Sequence, residues 1–279
     1  MASKYHVRSN SFPSESHPNS TRIEQDLNKI KTWEATSTST SDSITNGLSM
    51  LEDLYISLED LLNMTSTQKA VSHHQGEKSV EELLDGSVKI LDICGITRDI
   101  MLQIKENIQS LHSSLRRKKG DSSIEKSVAE YNFFTKKMKK NVTKLITSLK
   151  QIESKFGASS LLNQDQEFVA VIRVIREVIA MNMSIFQSIL SFLVGSASKS
   201  KAAKWFKVAK LENFNELQCV ESSLRTLLRE GSNVSKMQEA QEKIEALENA
   251  IDMIENSLES VFRRLVKTRV SLLNIMTQS

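Results

Sequence analysis

Three stretches of this 279-residue chain carry residue types that could do binding chemistry, and all three are cationic or phosphorylatable. In Arg8-Ser9-Asn10-Ser11-Phe12-Pro13, Arg8 stands three residues before Ser11 and Pro13 two after it. Basophilic kinases read such an arginine electrostatically. A phosphorylated Ser11 would carry about two negative charges for an arginine-lined groove. The spacing of Arg8, Ser9, Ser11 and Pro13 is that of phosphopeptides held by 14-3-3 proteins, and a Ser/Pro-rich tail can also meet it by chance. The second stretch sets Lys199, Lys201, Lys204, Lys207 and Lys210 around Trp205 and Phe206. Such a segment next to an apolar helix suits an anionic membrane surface, each lysine adding about 1 kcal/mol near anionic lipid, or it is an exposed connection. The third is Arg263, Arg264, Lys267 and Arg269, four cations within two turns beyond Ser260, where no acid follows. They match the helix dipole at its carboxyl end and form a candidate surface for an acidic or phosphate-bearing partner.

Catalytic chemistry finds no comparable constellation. The sequence has no glycine-rich phosphate loop, no G-x-S-x-G, no paired-histidine helix motif and no Cys–His arrangement. His73 and His74 are adjacent and so point to different helix faces, with no cysteine or acidic cluster at ligand spacing. Cys94 lies on an apolar seam, where it reads as a small core residue. With Cys219 the only other cysteine, two isolated thiols fit a reducing compartment. The expectation is a non-enzymatic protein without cofactor or metal. Lys and Arg total 37 against 34 Asp and Glu, a net charge of +3, and few aromatic groups stand near the basic patches, so no nucleic-acid partner is expected. The amino-terminal residues hold no apolar segment of the kind a secretory signal needs, which points to an intracellular, cytoplasmic protein.

The elements that must carry these groups are helical. Both prolines, Pro13 and Pro18, precede residue 20, and an apolar content of 39% supports an adequate core. From Val234 to Met276, Met237, Ile244, Ile251, Leu258, Leu265 and Leu272 recur every seven residues. Ala240, Leu247, Ile254, Val261, Thr268 and Ile275 follow each of them by three. A helix with an a/d seam of this length must lay it against other helices. Matching seams run over 79–118 (Val80 to Leu115) and 122–156 (Ile124 to Phe156). A shorter helix covers 42–64, and a modest one 211–229. Ser79 with Glu82, Ser122 with Glu125, and Thr21 with Glu24 read as capping boxes. Gly86 and Gly95 inside the second seam suggest a kink or a close helix approach.

Residues 165–198 are apolar almost all round and carry no charge from Val178 to Ser198. Such a helix is either the centre of a bundle or a membrane element. Asn182, Ser184, Gln187, Ser188 and Ser191 dilute it, which favours the buried reading. The expected architecture is all-α, an antiparallel bundle of long helices with heptad seams. A disordered tail (1–19), a short helix with a Ser/Thr linker (20–41) and the bundle (42–279) follow one another.

Four stretches carry a likeness to a known group: His6 to Ser14, Leu83-Leu84-Asp85-Gly86-Ser87, Leu115-Arg116-Arg117-Lys118, and Phe262 through Ile275. Together they resemble the plant-specific BYPASS-like family, over nearly the whole chain. The resemblance implies a role in root and shoot development, the founding type being linked to restraint of a root-derived mobile signal. It implies no catalytic residues. The function expected is thus a helical adaptor or regulator acting through protein contacts, 14-3-3 proteins among them. The alternative is a peripheral or single-pass membrane-associated protein using 178–210. Oligomeric state stays open.

Overall fold

A computed structural model describes residues 18–117, 121–155, 165–195, 214–231 and 233–277. Their regular structure is all α-helix. The elements are α1 (Pro18–Thr36), α2 (Ser41–Leu62), α3 (Thr65–Ser72), α4 (Lys78–Arg116), α5 (Asp121–Lys155), α6 (Gln166–Val194), α7 (Glu216–Glu230) and α8 (Val234–Thr277). The all-α expectation is met. Residues 1–17 of the expected tail, and the 199–210 segment, lie outside the described residues.

The heptad seams are the core. In α8, Ile244, Leu247, Ile251, Ile254, Leu258, Val261, Leu265, Leu272 and Ile275 are buried, as is Thr268. In α4 the run from Val80 to Leu115 is buried through Ile90, Cys94, Met101, Ile104, Ile108 and Leu111. α8 packs against α2, α4 and α7, whereas α6 packs against α1, α2, α3, α4 and α5. α8 also touches α3, so the described helices form two interlocked layers with α2, α3 and α4 in contact with both α6 and α8. α4 and α8 run antiparallel, since Arg98 pairs with Glu259, Lys105 with Asp252 and Glu255, and His112 with Glu248.

The helix that carries the uncharged stretch takes the inner position. Phe168, Ile172, Ile185, Phe186, Ile189, Leu190, Phe192 and Leu193 of α6 are each fully buried. Its polar residues are accommodated rather than exposed to lipid. Asn182 is fully buried and donates Nδ2 to the Val178 carbonyl at 2.7 Å, with the Tyr55 hydroxyl beside it. Ser191 donates to Gln187 O at 2.7 Å, and Ser184 reaches Glu34 Oε1 at 2.7 Å. Among the described residues no helix is long and apolar enough to cross a membrane. Over the described residues 178–195 of that stretch, the burial is that of a bundle helix.

Helix starts differ from the sequence signals. α1 begins at Pro18, before Thr21, because proline's fixed φ and missing N–H suit the first helical position. Residues 18 and 19 are thus helix, not tail. α4 starts at Lys78 with Glu77 as its cap, and Ser79 is buried inside it. Glu82 is drawn instead to Arg176 of α6 at 2.9 Å. A capping carboxylate is easily lost to a partly buried guanidinium. The polar stretch after α2 contains a further short helix, α3. α7 starts at Glu216, later than read from its apolar pattern, and Phe214 lies ahead of it, 68% exposed.

α1 lies antiparallel on α2. Trp33 donates its indole N–H to Ser43 O at 2.8 Å, and its ring lies over Gly47, where a Cβ would stand 2.6 Å from it. Gly95, by contrast, has open space around its missing Cβ and sits in the middle of α4 without breaking it. Gly47→Ala should therefore cost about 1–3 kcal/mol by overpacking, whereas Gly95→Ala should stabilise by up to about 1 kcal/mol through helix propensity. Thermal melts of the two variants check this, since opposite shifts in Tm are expected.

Asp26 ties the same two helices together. Its Oδ2 accepts from Ser57 Oγ at 2.6 Å and its Oδ1 from Lys29 Nζ at 2.8 Å. Burial alone would raise its pKa, but these two hydrogen bonds and the charges of Lys29 and Arg22 more than offset that and hold it below the usual carboxylate value. A folded-state pKa below the unfolded one adds stability that is complete above the unfolded value, near 4, and is lost as pH falls through the folded one. Wild-type stability should fall below about pH 4. Asp26→Asn should show a shallower fall there, checked by urea titrations between pH 2 and pH 7.

Candidate functional site

The basic end of α8 is the one candidate surface whose residues are all described, and its side chains are largely committed within the fold. Arg264 and Lys267 turn towards α2. Lys267 Nζ lies 2.7 Å from Glu59 Oε2, Arg264 Nη1 lies 3.5 Å from the same oxygen, and Arg264 Nε is 3.7 Å from Glu52 Oε1. The Glu59 side chain is only 8% exposed, so its charge needs these cations. A carboxylate taken from water without compensation costs several kcal/mol. Arg269 turns the other way, to α4. Its Nη1 donates to Leu84 O at 3.0 Å and to Ser87 Oγ at 2.6 Å. Arg263 remains largely exposed, with Nε donating to Glu259 Oε1 at 3.0 Å. One turn earlier, Arg98 of α4 pairs with Glu259 and lies 4.7 Å over the Phe262 ring.

The four cations therefore divide. Arg264, Lys267 and Arg269 clamp α8 between α2 and α4, and Arg263 together with the outer side of Lys267 faces solvent. Sequence reading missed Glu59. The signal was present, because Glu52 and Glu59 recur at seven residues beside the apolar face of α2. An acid so close to a seam reads equally well as a solvated flank until its partner is known.

Other candidate groups have local explanations. His74 stacks on Phe168, ring centroids 4.0 Å apart, and its Nδ1 lies 2.8 Å from the Ala70 carbonyl, so that nitrogen carries the proton. His73 Nδ1 makes the same contact to Lys69 O at 3.1 Å. Burial pushes the Cys94 thiol up to about 12, Arg98 offsetting this only in part. That leaves almost no thiolate near neutral pH. On α5, Lys136, Lys137, Lys140 and Lys144 are exposed, and Lys139 lies 2.5 Å from Glu221 of α7.

The lysine–aromatic segment 199–210 lies outside the described residues, but its two anchors are defined. Gly195 ends α6 with φ of +74°. Asn215 caps α7 in a reciprocal box with Gln218 and donates Nδ2 to Phe192 O at 2.9 Å, near the carboxyl end of α6. The carboxyl end of α6 and the start of α7 therefore lie side by side. A surface groove of about 590 Å³ between α1, α3 and α6 has an apolar floor including Ile23, Leu27 and Val171, and the Lys31–Glu177 pair at its rim.

Two of the stretches that carry the sequence resemblance meet at the Arg269 contact, Leu83–Ser87 from α4 and Phe262–Ile275 from α8. A protein-family model described as Protein BPS1 matches residues 47–275. The chain belongs to the BPS1, or BYPASS-like, family. No curated protein and no solved structure matches it. The BYPASS-like region runs from within α2 almost to the end of α8, so it includes the whole clamp, whereas α1 and the Arg8–Pro13 motif precede it.

The clamp should behave as structure. Arg269→Ala should cost about 1.5–3 kcal/mol, the range for a hydrogen bond to a charged group. Combined with Ser87→Ala it should cost less than the sum of the two single changes, because both remove the same contact. Chemical denaturation of the cycle checks this.

Proposed function

We propose that this chain is a non-enzymatic helical adaptor or regulator in plant root and shoot development, and that it acts by presenting its amino-terminal segment to protein partners. Membership of the BYPASS-like family over 47–275 is the observation that carries this reading. It brings a developmental role and no assigned catalytic chemistry. The physical support is the commitment of side chains. The partly buried His74 and the buried Cys94 and Glu59 each have a packing or pairing role, and the cations of the family-like carboxyl-terminal stretch mainly hold helices together.

The partner contact proposed lies ahead of the matched region, at Arg8, Ser9, Ser11 and Pro13. A phosphate on Ser11 would supply the charge, and Arg8 and Pro13 the kinase recognition and the chain direction, for a 14-3-3 protein. Pull-down from plant extract with the Ser11-phosphorylated chain should recover 14-3-3 proteins, and Ser11→Ala should reduce recovery at least about tenfold, the loss of one charge-assisted anchor. Equal recovery would remove the tail from the proposal. Disruption of the gene in its own plant should alter root or shoot growth, and unaltered growth would count against the developmental assignment.

A further inference from the structure

We propose that the outer face of the α4/α8 pair, over residues 81–102 and 262–274, binds the same face of a second copy of this chain. The proposal stands on surface chemistry and does not depend on the adaptor reading.

The outer edge of the α4/α8 crevice changes character along its length. From Glu248 to Glu259 it is lined by the ion pairs of Lys105 and Arg98 and by the His112–Glu248 contact at 3.0 Å. Beyond Phe262, on which Arg98 rests, it becomes apolar. On α8, Val266, Val270 and Leu273 are 40%, 49% and 38% exposed. Their i, i+4, i+7 spacing puts them within about 60° of arc, on the shoulder opposite the buried seam. Facing them across the crevice, α4 offers Val88, 36% exposed, with Leu84 and Leu91 partly buried on either side. Single exposed apolar residues need no explanation, but a contiguous strip along two packed helices does.

The charges bordering this strip name its occupant. The crest of α4 carries Glu81, Asp85, Asp92 and Asp99, all exposed, which helical spacing places within about 40° of one another. Lys89 lies farther round. The adjoining crest of α8 carries Arg263 and Lys267, whose side chains are 77% and 63% exposed, and no acid from Val261 to Thr277. One edge of the strip is thus acidic and the other basic. Two copies can meet face to face about a two-fold axis in the contact plane, either along the helices or across them. An axis across them lays α4 on α4 and sets acid against acid. An axis along them lays α4 of each copy over α8 of the other, antiparallel and at the same level, so that each acidic crest meets a basic one. The patch is self-complementary in the second arrangement alone, as an isologous dimer requires.

Sedimentation equilibrium of the full chain tests this. Wild type should be a dimer that weakens as salt is raised. Val266→Glu with Val270→Glu should weaken dimerisation by at least about a hundred-fold, by burying charge in the apolar strip, while circular dichroism and Tm stay near wild type. Two charge-reversed chains test the axis: Arg263→Glu with Asn274→Glu on α8, and Asp85→Lys with Asp92→Lys on α4. Each should be monomeric alone, and an equimolar mixture should recover the dimer, because both crest contacts are then opposite in sign. A wild-type chain that stays monomeric at roughly 100 µM, far above a micromolar Kd, overturns the proposal, including the case in which a different protein occupies the face. Dimerisation that survives Val266→Glu with Val270→Glu, or a mixture that stays monomeric, overturns it equally.

Discussion

Burial of the α8 seam between α2 and α4 is the constraint on which the other contacts depend. A stripe running from Ala240 to Ile275 cannot face water, and each large aliphatic side chain buried along it contributes about 1.5–3 kcal/mol. An apolar stripe alone lets a helix slide and rotate. What sets the register here is the polar flank: Glu59 held by Arg264 and Lys267 on one side, Arg269 on Leu84 and Ser87 on the other, and the graded series from Arg98–Glu259 to His112–Glu248 along α4. Glu59 matters most among these. Its carboxylate is nearly inaccessible, so a displaced α8 would leave a charge buried without a counterion.

The second layer solves a different problem. From Val178 onward α6 is apolar on nearly every side and must be largely surrounded, and α1 to α5 pack around the helix. Its polar side chains donate to its own carbonyls, as with Asn182 Nδ2 and Ser191, or to a neighbour, as with Ser184 to Glu34. The reciprocal cap at Asn215 and Gln218 then fixes where the chain re-enters after α6. The carboxyl end of α6 and the start of α7 are thereby held side by side.

This division clarifies what the family-like stretches are for. Phe262–Ile275 and Leu83–Ser87 are the two sides of one helix–helix contact. That requirement accounts for Ser87 and Arg269 without any ligand, and it moves the search for partners away from the clamp. What is left over lies ahead of the matched region or on the outer α4/α8 face.

Much of the fold was legible in residue spacing. The seams of α4, α5 and α8 have a period that only a helix buries, and the core follows them almost residue by residue, because apolar periodicity is a local property of the chain. The capping signals at Thr21–Glu24 and Ser79–Glu82 misled for the complementary reason. A side chain that could cap its own helix was in one case already inside a helix begun by Pro18, and in the other was claimed by Arg176. The cations of 263–269 show the limit most clearly. Their number, sign and clustering were set by the sequence, and so was their fit to the helix dipole. Which of them pair inward with Glu59, Glu52 and Leu84, and which stay in solvent, depended on the rotation of α8 against α2 and α4, a relation between residues about 180 to 210 positions apart that only tertiary packing decides.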